Sequence, residues 1–234
     1  MNILAVGCHP DDIEVGCAGT LIKYKKAGHK VTVCHVANGN LGHGRIEPEE
    51  LRVIRAKEAK SIEELTGIEV LTCDIGDLLV YNGDKRQRDL VIDVIRKVQP
   101  DVIITHSPQD YMPDHNAVSK LVFDASFAAS VPHYKTAVPD TAGLTPIYYM
   151  DTVQGIHFLP TDYVDISDTI EMKLQMLNCH ISQMEWMREH DNVDFAETVR
   201  ICGRFRGLQC GANYAEGFAK CYAWPKLVPH RLLP

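Results

Sequence analysis

The sequence predicts an α/β architecture: a mostly parallel sheet with helices on both faces. Two observations carry this. Apolar, β-branched runs of strand length alternate with amphipathic runs of helix length. The strand runs, such as Ile3-Leu4-Ala5-Val6 and Val102-Ile103-Ile104-Thr105, lack the in–out alternation of a half-solvated sheet. At 234 residues and 45% hydrophobic content, the chain is expected to form one domain over residues 1–234.

The elements follow in order. Residues 2–7 read as a strand and 14–27 as a helix that Gly28 stops. Residues 30–37 are β-branched and apolar, a second strand, followed by a glycine-rich loop over 38–44. Pro48 suits a first turn, and Leu51, Ile54, Arg55, Glu58, Ile62 and Leu65 recur at helical spacing, predicting a helix over 48–66 that Gly67 stops. A third strand is expected at 68–73, a helix at 86–98, a buried fourth strand at 101–106 and a helix at 114–129. Residues 131–145 contain Pro132, Pro139 and Gly143 and read as a long surface loop at the mouth of a site. Short strands at 145–151 and 162–166 come next. A helix capped by Ser167 then runs to about His180, and another covers 192–201. His180 and His190 read as structural or exposed, and Met184, Trp186 and Met187 as packing residues.

Charge narrows the function. The net charge is -7 with no basic stripe, which disfavours a nucleic-acid partner. No apolar run approaches the ~18 residues of a membrane span. The apolar start, residues 1–6, is too short for a signal peptide, so a cytoplasmic protein is expected. None of the eight cysteines forms a CxxC pair, and reduced thiols acting as small hydrophobes are expected. Cys8 adjoins the chemistry described next, but on an extended segment its side chain points away from that of His9.

His9-Pro10-Asp11-Asp12 lies directly behind the first strand, where α/β proteins build their sites. The fourth strand runs into His106 and then Asp110-Tyr111-Met112-Pro113-Asp114-His115. If the two strands are neighbours, both segments emerge on one sheet edge, and His9, Asp12 and His115 can converge on one ion. Two His and one Asp with an open fourth position suit catalytic zinc, and the same set is also found at Fe(II) sites. The second Asp of the pair can then handle a proton. The competing reading is that these groups cap the following helices. No GxGxxG follows the first strand, which disfavours a dinucleotide site.

These residues resemble the PIG-L/LmbE-like zinc-dependent de-N-acetylases. His9-Pro10-Asp11-Asp12-Ile13-Glu14 is similar to that family's first motif. Asn38-Gly39, Arg55 with Glu58, Asp110, Pro113-Asp114-His115 and Tyr214-Ala215-Glu216-Gly217-Phe218 are similar to later ones. The resemblance implies a Rossmann-like fold and removal of an N-acetyl group from a small amino-sugar conjugate of N-acetylglucosamine type. It implies His9, Asp12 and His115 as zinc ligands, Asp11 as general base and Arg55 as a substrate contact. Asn38 and Asp110 are candidate substrate contacts, each also readable as a turn residue. A homo-oligomer is also expected.

One departure stands out. Where the family commonly has His-Pro-Asp-His, this chain has Met112. A thioether neither donates a proton nor carries positive charge. His106, His43 and Tyr111 are candidates to replace that group, and Asp114 is left to brace a ligand from behind. Met112 keeps open a metal-dependent hydrolase of another C–N bond. A non-catalytic metal- or ligand-binding protein is the remaining alternative.

Overall fold

The computed structural model describes residues 1–234. Its chain order is β1 (Asn2–Gly7), α1 (Asp12–Gly16), α2 (Ala18–Lys26), β2 (Lys30–Ala37), α3 (Pro48–Thr66), β3 (Glu69–Ile75), α4 (Lys85–Val98), β4 (Val102–Thr105), α5 (Pro113–Ala128) and β5 (Ile147–Met150). A short 3-10 turn (Val153–Gly155) follows, then β6 (Asp162–Asp165), α6 (Ile170–Leu177), α7 (Ile181–Glu189), α8 (Phe195–Cys210) and β7 (Ala215–Lys220). All seven strands join one sheet in the order β3-β2-β1-β4-β5-β7-β6. The first five strands run parallel, and β7 pairs antiparallel with both β5 and β6. The mostly parallel α/β sheet expected from the sequence is therefore present. No helix is long and apolar enough to cross a membrane.

The strand order reverses between β1 and β4, which pair directly from Ile3↔Val102 to Val6↔Thr105. Chain leaving β1 turns one way and chain leaving β4 the other. A crevice opens at their carboxyl ends, the place where open α/β sheets hold ligands. Two apolar layers back the sheet. On one face Ile13, Leu21, Ile62, Ile170, Leu174 and Val199 pack from helices against Ile3, Ala5 and Ile104. On the other, Val91, Ile92 and Ile95 of α4 and Val118, Leu121 and Val122 of α5 pack against Leu4, Val6 and Ile103.

Several expectations need correction. The single helix over 14–27 is two helices, broken at Cys17, whose φ of -150° is not helical. The break lets Gly16 approach Met150 and Gly19 approach Ile166 so closely that a Cβ at either would meet those side chains at 2.5 and 2.8 Å. Ser167 does not cap α6, because its hydroxyl donates to Asp165 instead. The α8 helix runs past residue 201, to Cys210. Sequence reading missed α7 and β7. The loop over 131–145 is not at the site mouth. Arg96, in the last turn of α4, donates to the carbonyls of Ala129, Val131, Tyr134 and Val138. Thr145 donates to Pro100 O just before β4. Both ties hold the loop at the opposite, amino-terminal edge of the sheet.

The Tyr214–Phe218 segment also has a structural task. Glu216 of β7 accepts from the N–H groups of Gly19 and Thr20 at 2.9 and 2.8 Å and from Lys173 Nζ at 2.6 Å. Those two N–H groups belong to the first turn of α2, which has no side-chain cap of its own. A remote carboxylate thus caps α2 and joins it to α6. Glu216→Ala would leave a buried ammonium and two buried donors without their acceptor. It should cost about 3–5 kcal/mol, read as a lower denaturant midpoint at unchanged m-value; a loss below ~1 kcal/mol would refute this role.

Candidate active site

Gly7 ends β1, and the next residues turn into α1. Asp11 adopts φ 120° and ψ -27°, a left-handed backbone that a non-glycine residue holds only under constraint. Such strain costs on the order of 1–3 kcal/mol and persists where the surroundings fix it. Here the turn aims Asp11 and Asp12 at the crevice. The carboxylate of Asp12 accepts the His9 backbone N–H at 2.6 Å, closing the turn.

Asp12 is the hub. His9 Nδ1 lies 3.3 Å from Asp12 Oδ2, and His115 Nε2 lies 3.2 Å from Oδ1. His106 Nε2 lies 3.3 Å from Oδ2, with its ring stacked on His115 at 4.1 Å. All four groups are buried. The imidazoles hold the Asp12 carboxyl well below the usual range despite burial, which opposes this. The Asp12 and Asp110 carboxylates draw the His115 imidazole up to about 10, again against burial. His115 lies within 3.2 Å of a carboxylate oxygen on each side, yet neither ring nitrogen makes a directed hydrogen bond. Buried ring nitrogens short of partners beside a carboxylate fit a cation site.

Two overlapping sets bring ligand atoms within 4.8 Å of one another: Cys8 with His9 and Asp12, and Asp12 with His106 and His115. The His106 Nε2 lone pair already accepts the Cys8 backbone N–H at 2.9 Å. Burial pushes the Cys8 thiol up to about 12 in the metal-free chain, where His9 and His115 are held protonated as well. Neither set is His9, Asp12 and His115 together: these two imidazoles lie beside opposite oxygens of Asp12, with ring centroids 5.5 Å apart.

Each imidazole has a carboxylate behind it. His9 Nε2 donates to Asp114 Oδ2 at 3.4 Å, and Asp114 also accepts the Leu78 N–H at 2.7 Å. Asp110 Oδ2 lies 3.2 Å from His115 Nδ1, and its Oδ1 accepts the Met112 N–H. Such carboxylate–histidine pairs fix which nitrogen faces an ion. Asp77, which sequence reading missed, accepts the Gly39 and Leu41 N–H groups and lies 3.9 Å from His9 Nε2. It lies two residues past the end of β3 but belongs to no dense His/Asp motif, so only its place at a strand end could have pointed to it.

The Asp11 carboxylate takes no hydrogen bond within the chain, and Asp11 lines a cavity of about 300 Å³. Burial, then the charge of Asp12, pushes its carboxyl up to about 7. Arg55, Gln183, Tyr111, Met112, Leu78, Met187 and Phe195 share that cavity. Arg55 donates to Gly42 O at 3.1 Å and to Gln183 Oε1. The glycine loop exists to let it pass: a Cβ at Gly39, where φ is +77°, would sit 2.5 Å from the Arg55 side chain.

Three of the candidate residues lie outside this cavity. Asp110 does not face the cavity, because its carboxylate is turned onto His115. Asn38 is a turn residue that donates to Asp74 and accepts the Asn40 N–H. It lines a separate, larger hollow of about 540 Å³ beneath α3, where no set of metal-ligating side chains gathers. His43 accepts N–H groups from Arg45 and Ile46 and is not in the cavity.

Comparison with known proteins identifies the family. The model of the PIG-L family, GlcNAc-PI de-N-acetylase, matches residues 4–126. A diacetylchitobiose deacetylase of Thermococcus kodakarensis is 30% identical over 228 residues, 92% of this chain and 81% of the relative. A 4-oxalmesaconate hydratase of Pseudomonas putida is 25% identical over 233 residues, 94% of this chain and 89% of the relative. Among solved structures, the 4-carboxy-2-hydroxymuconate hydratase of Pseudomonas putida superposes with a TM-score of 0.82 at 24% identity, covering 99% of this chain and 100% of that one. The N,N'-diacetylchitobiose deacetylase of Pyrococcus horikoshii superposes with a TM-score of 0.80 at 24% identity, covering 94% and 83%. The family model spans the segment that carries His9, Asp12, Arg55 and His115, and the chain belongs to the PIG-L, GlcNAc-PI de-N-acetylase, family.

Proposed function

We propose that the chain is a zinc-dependent N-deacetylase of a small N-acetylglucosamine-type conjugate. The observation that carries this is Asp11: a buried carboxylate with no partner in the chain, facing a cavity beside an Asp12-centred imidazole cluster. His9, Asp12 and His115 would hold the ion, Zn²⁺ or Fe²⁺. Such an ion, when bound, acidifies water and polarises a carbonyl.

The chain's residues account for the rest. Asp11 takes the proton of the water that attacks the acetamide carbon. As the C–N bond breaks, Asp11 returns that proton to the departing nitrogen, giving acetate and a primary amine. A cation neutralising Asp12 removes one of the causes that raise Asp11, and so draws it towards the ionised form a base needs. Arg55, fixed by Gln183 and Gly42 O, contacts the substrate. Met112 supplies no proton, and His106 is committed to the Cys8 N–H and kept neutral chiefly by burial. Tyr111, in the cavity wall, is the remaining candidate to donate to the developing oxyanion.

Hydration of a carbon–carbon double bond is a second reading. Met112 favours it, since that reaction needs no donor to an acyl oxyanion, and a hydratase is among the relatives. The cavity argues against it. A polycarboxylate of the kind the hydratase names denote requires several cations, and Arg55 is the one Lys or Arg side chain lining this cavity.

Three outcomes test the proposal. Asp11→Asn should keep one zinc per chain while acetate release from N-acetylglucosamine conjugates falls about 10²–10⁴-fold; undiminished release would remove Asp11 as the base. Asp110→Ala should weaken zinc binding about 10–100-fold by freeing His115, seen by competition with a chelator. Finally, His9 and His115 are both held protonated in the metal-free chain. Zinc must displace those protons, so affinity should fall as pH falls, with about two protons released per ion near neutrality. Calorimetry in buffers of different ionisation enthalpy counts them; no release would contradict the ligand assignment.

A further inference from the structure

We infer that the first turn of α7, from His180 to Gln183, is a positioning clamp that holds the helix carrying Asp11 and the helix carrying Arg55 in register across the cavity. The inference rests on the deacetylase reading for the roles of those two residues. Three side chains of this turn reach out. His180 Nε2 donates to Glu14 Oε2 of α1 at 3.1 Å. Ser182 donates through its backbone N–H and its hydroxyl to the two carboxylate oxygens of Glu58 in α3, each at 2.7 Å. Gln183 accepts from Arg55, also in α3. One turn later Met187 forms part of the cavity wall.

The Glu14–His180 contact is poorly suited to a purely stabilising role. Glu14 is fully buried and His180 is 1% exposed. Glu14 Oε1, His180 Nδ1 and Nε2 of the adjacent His35 find no partner. A buried charged pair with unanswered atoms stabilises no more than apolar packing would. What it adds is direction. The α1 helix has five residues, and its N-cap residue, Asp11, makes no capping bond and holds a left-handed backbone. So short a helix cannot fix that turn alone. Glu14 lies three residues after Asp11, and the Val15 N–H closes the intervening turn on Asp11 O at 3.0 Å. A tether on Glu14 therefore fixes the direction of Asp11. The tether on Arg55 is separate and passes through Gln183, so each catalytic function has its own arm.

The test compares zinc-loaded wild type, His180→Gln and Gln183→Ala in acetate release and in amide hydrogen exchange across α1. His180→Gln should lose about tenfold or more in kcat with KM and zinc content held, and the Val15 amide should exchange faster. Gln183→Ala should raise KM about tenfold at nearly constant kcat, with Val15 still protected. Equal losses in both variants that track zinc content or melting temperature would show a merely structural turn and overturn the clamp. Wild-type kcat and exchange in His180→Gln would overturn it too. If the wild type releases no acetate, the deacetylase reading fails. Exchange then decides the clamp alone, and unchanged Val15 protection in His180→Gln sinks it.

Discussion

The site depends on one buried carboxylate shared among three imidazoles. Asp12 can sit there because β1 and β4 are hydrogen-bonded neighbours in register, with Val6 opposite Thr105. Slip that pairing by one residue and every side chain on β4 changes face, taking His106 away from Asp12. The apolar layers on both sides of the sheet enforce the register, since Ile103 and Ile104 must each meet their own layer. Core packing far from the crevice therefore sets the distances within it.

Around that carboxylate the chain concentrates groups that would be costly elsewhere. His9 and His115 are each backed by a further acid, Asp114 and Asp110, and Asp77 ties the glycine loop to the same cluster. Left to themselves, these acids draw protons onto the imidazoles. A divalent ion satisfies the same negative charge and leaves the imidazoles neutral, which couples binding to proton release. Beside the cluster, the strained turn at Asp11 delivers a carboxylate that makes no hydrogen bond, and the charges of His180, Arg55 and His9 offset only part of the cost of its burial. Strain, burial and a carboxylate without a hydrogen-bond partner meet at one residue, and general-base chemistry gives a reason to tolerate all three.

Much of this was legible in the sequence. The parallel strands showed because residues buried on both faces must be apolar throughout. The gathering of His9, Asp12 and His115 at one crevice was legible because polar groups at strand ends fall into short dense motifs. What escaped was set by long-range contact. Ala-Glu-Gly-Phe-Ala-Lys of β7 has little intrinsic strand preference and is recruited by pairing on both edges. The α7 helix buries only Ser182 among its own residues, so it has almost no apolar stripe to read. Asp110 and Asn38 were assigned to the substrate from their neighbourhood in the chain. Their direction is decided by His115 in one case and Asp74 in the other, neither of which spacing reveals. His180 read as structural or exposed for the same reason, its partner being 166 residues away.

The central claim is that His9, Asp12 and His115 hold a single catalytic ion. Anomalous diffraction at the zinc edge from crystals of the zinc-loaded protein tests it most directly. The account predicts one anomalous peak per chain, about 2.0–2.2 Å from a nitrogen of each histidine and an oxygen of Asp12, with His106 and the Cys8 sulfur outside bonding distance. A peak bonded to Cys8 or His106 in place of His9 or His115, or no peak at full zinc occupancy of the solution, would contradict it.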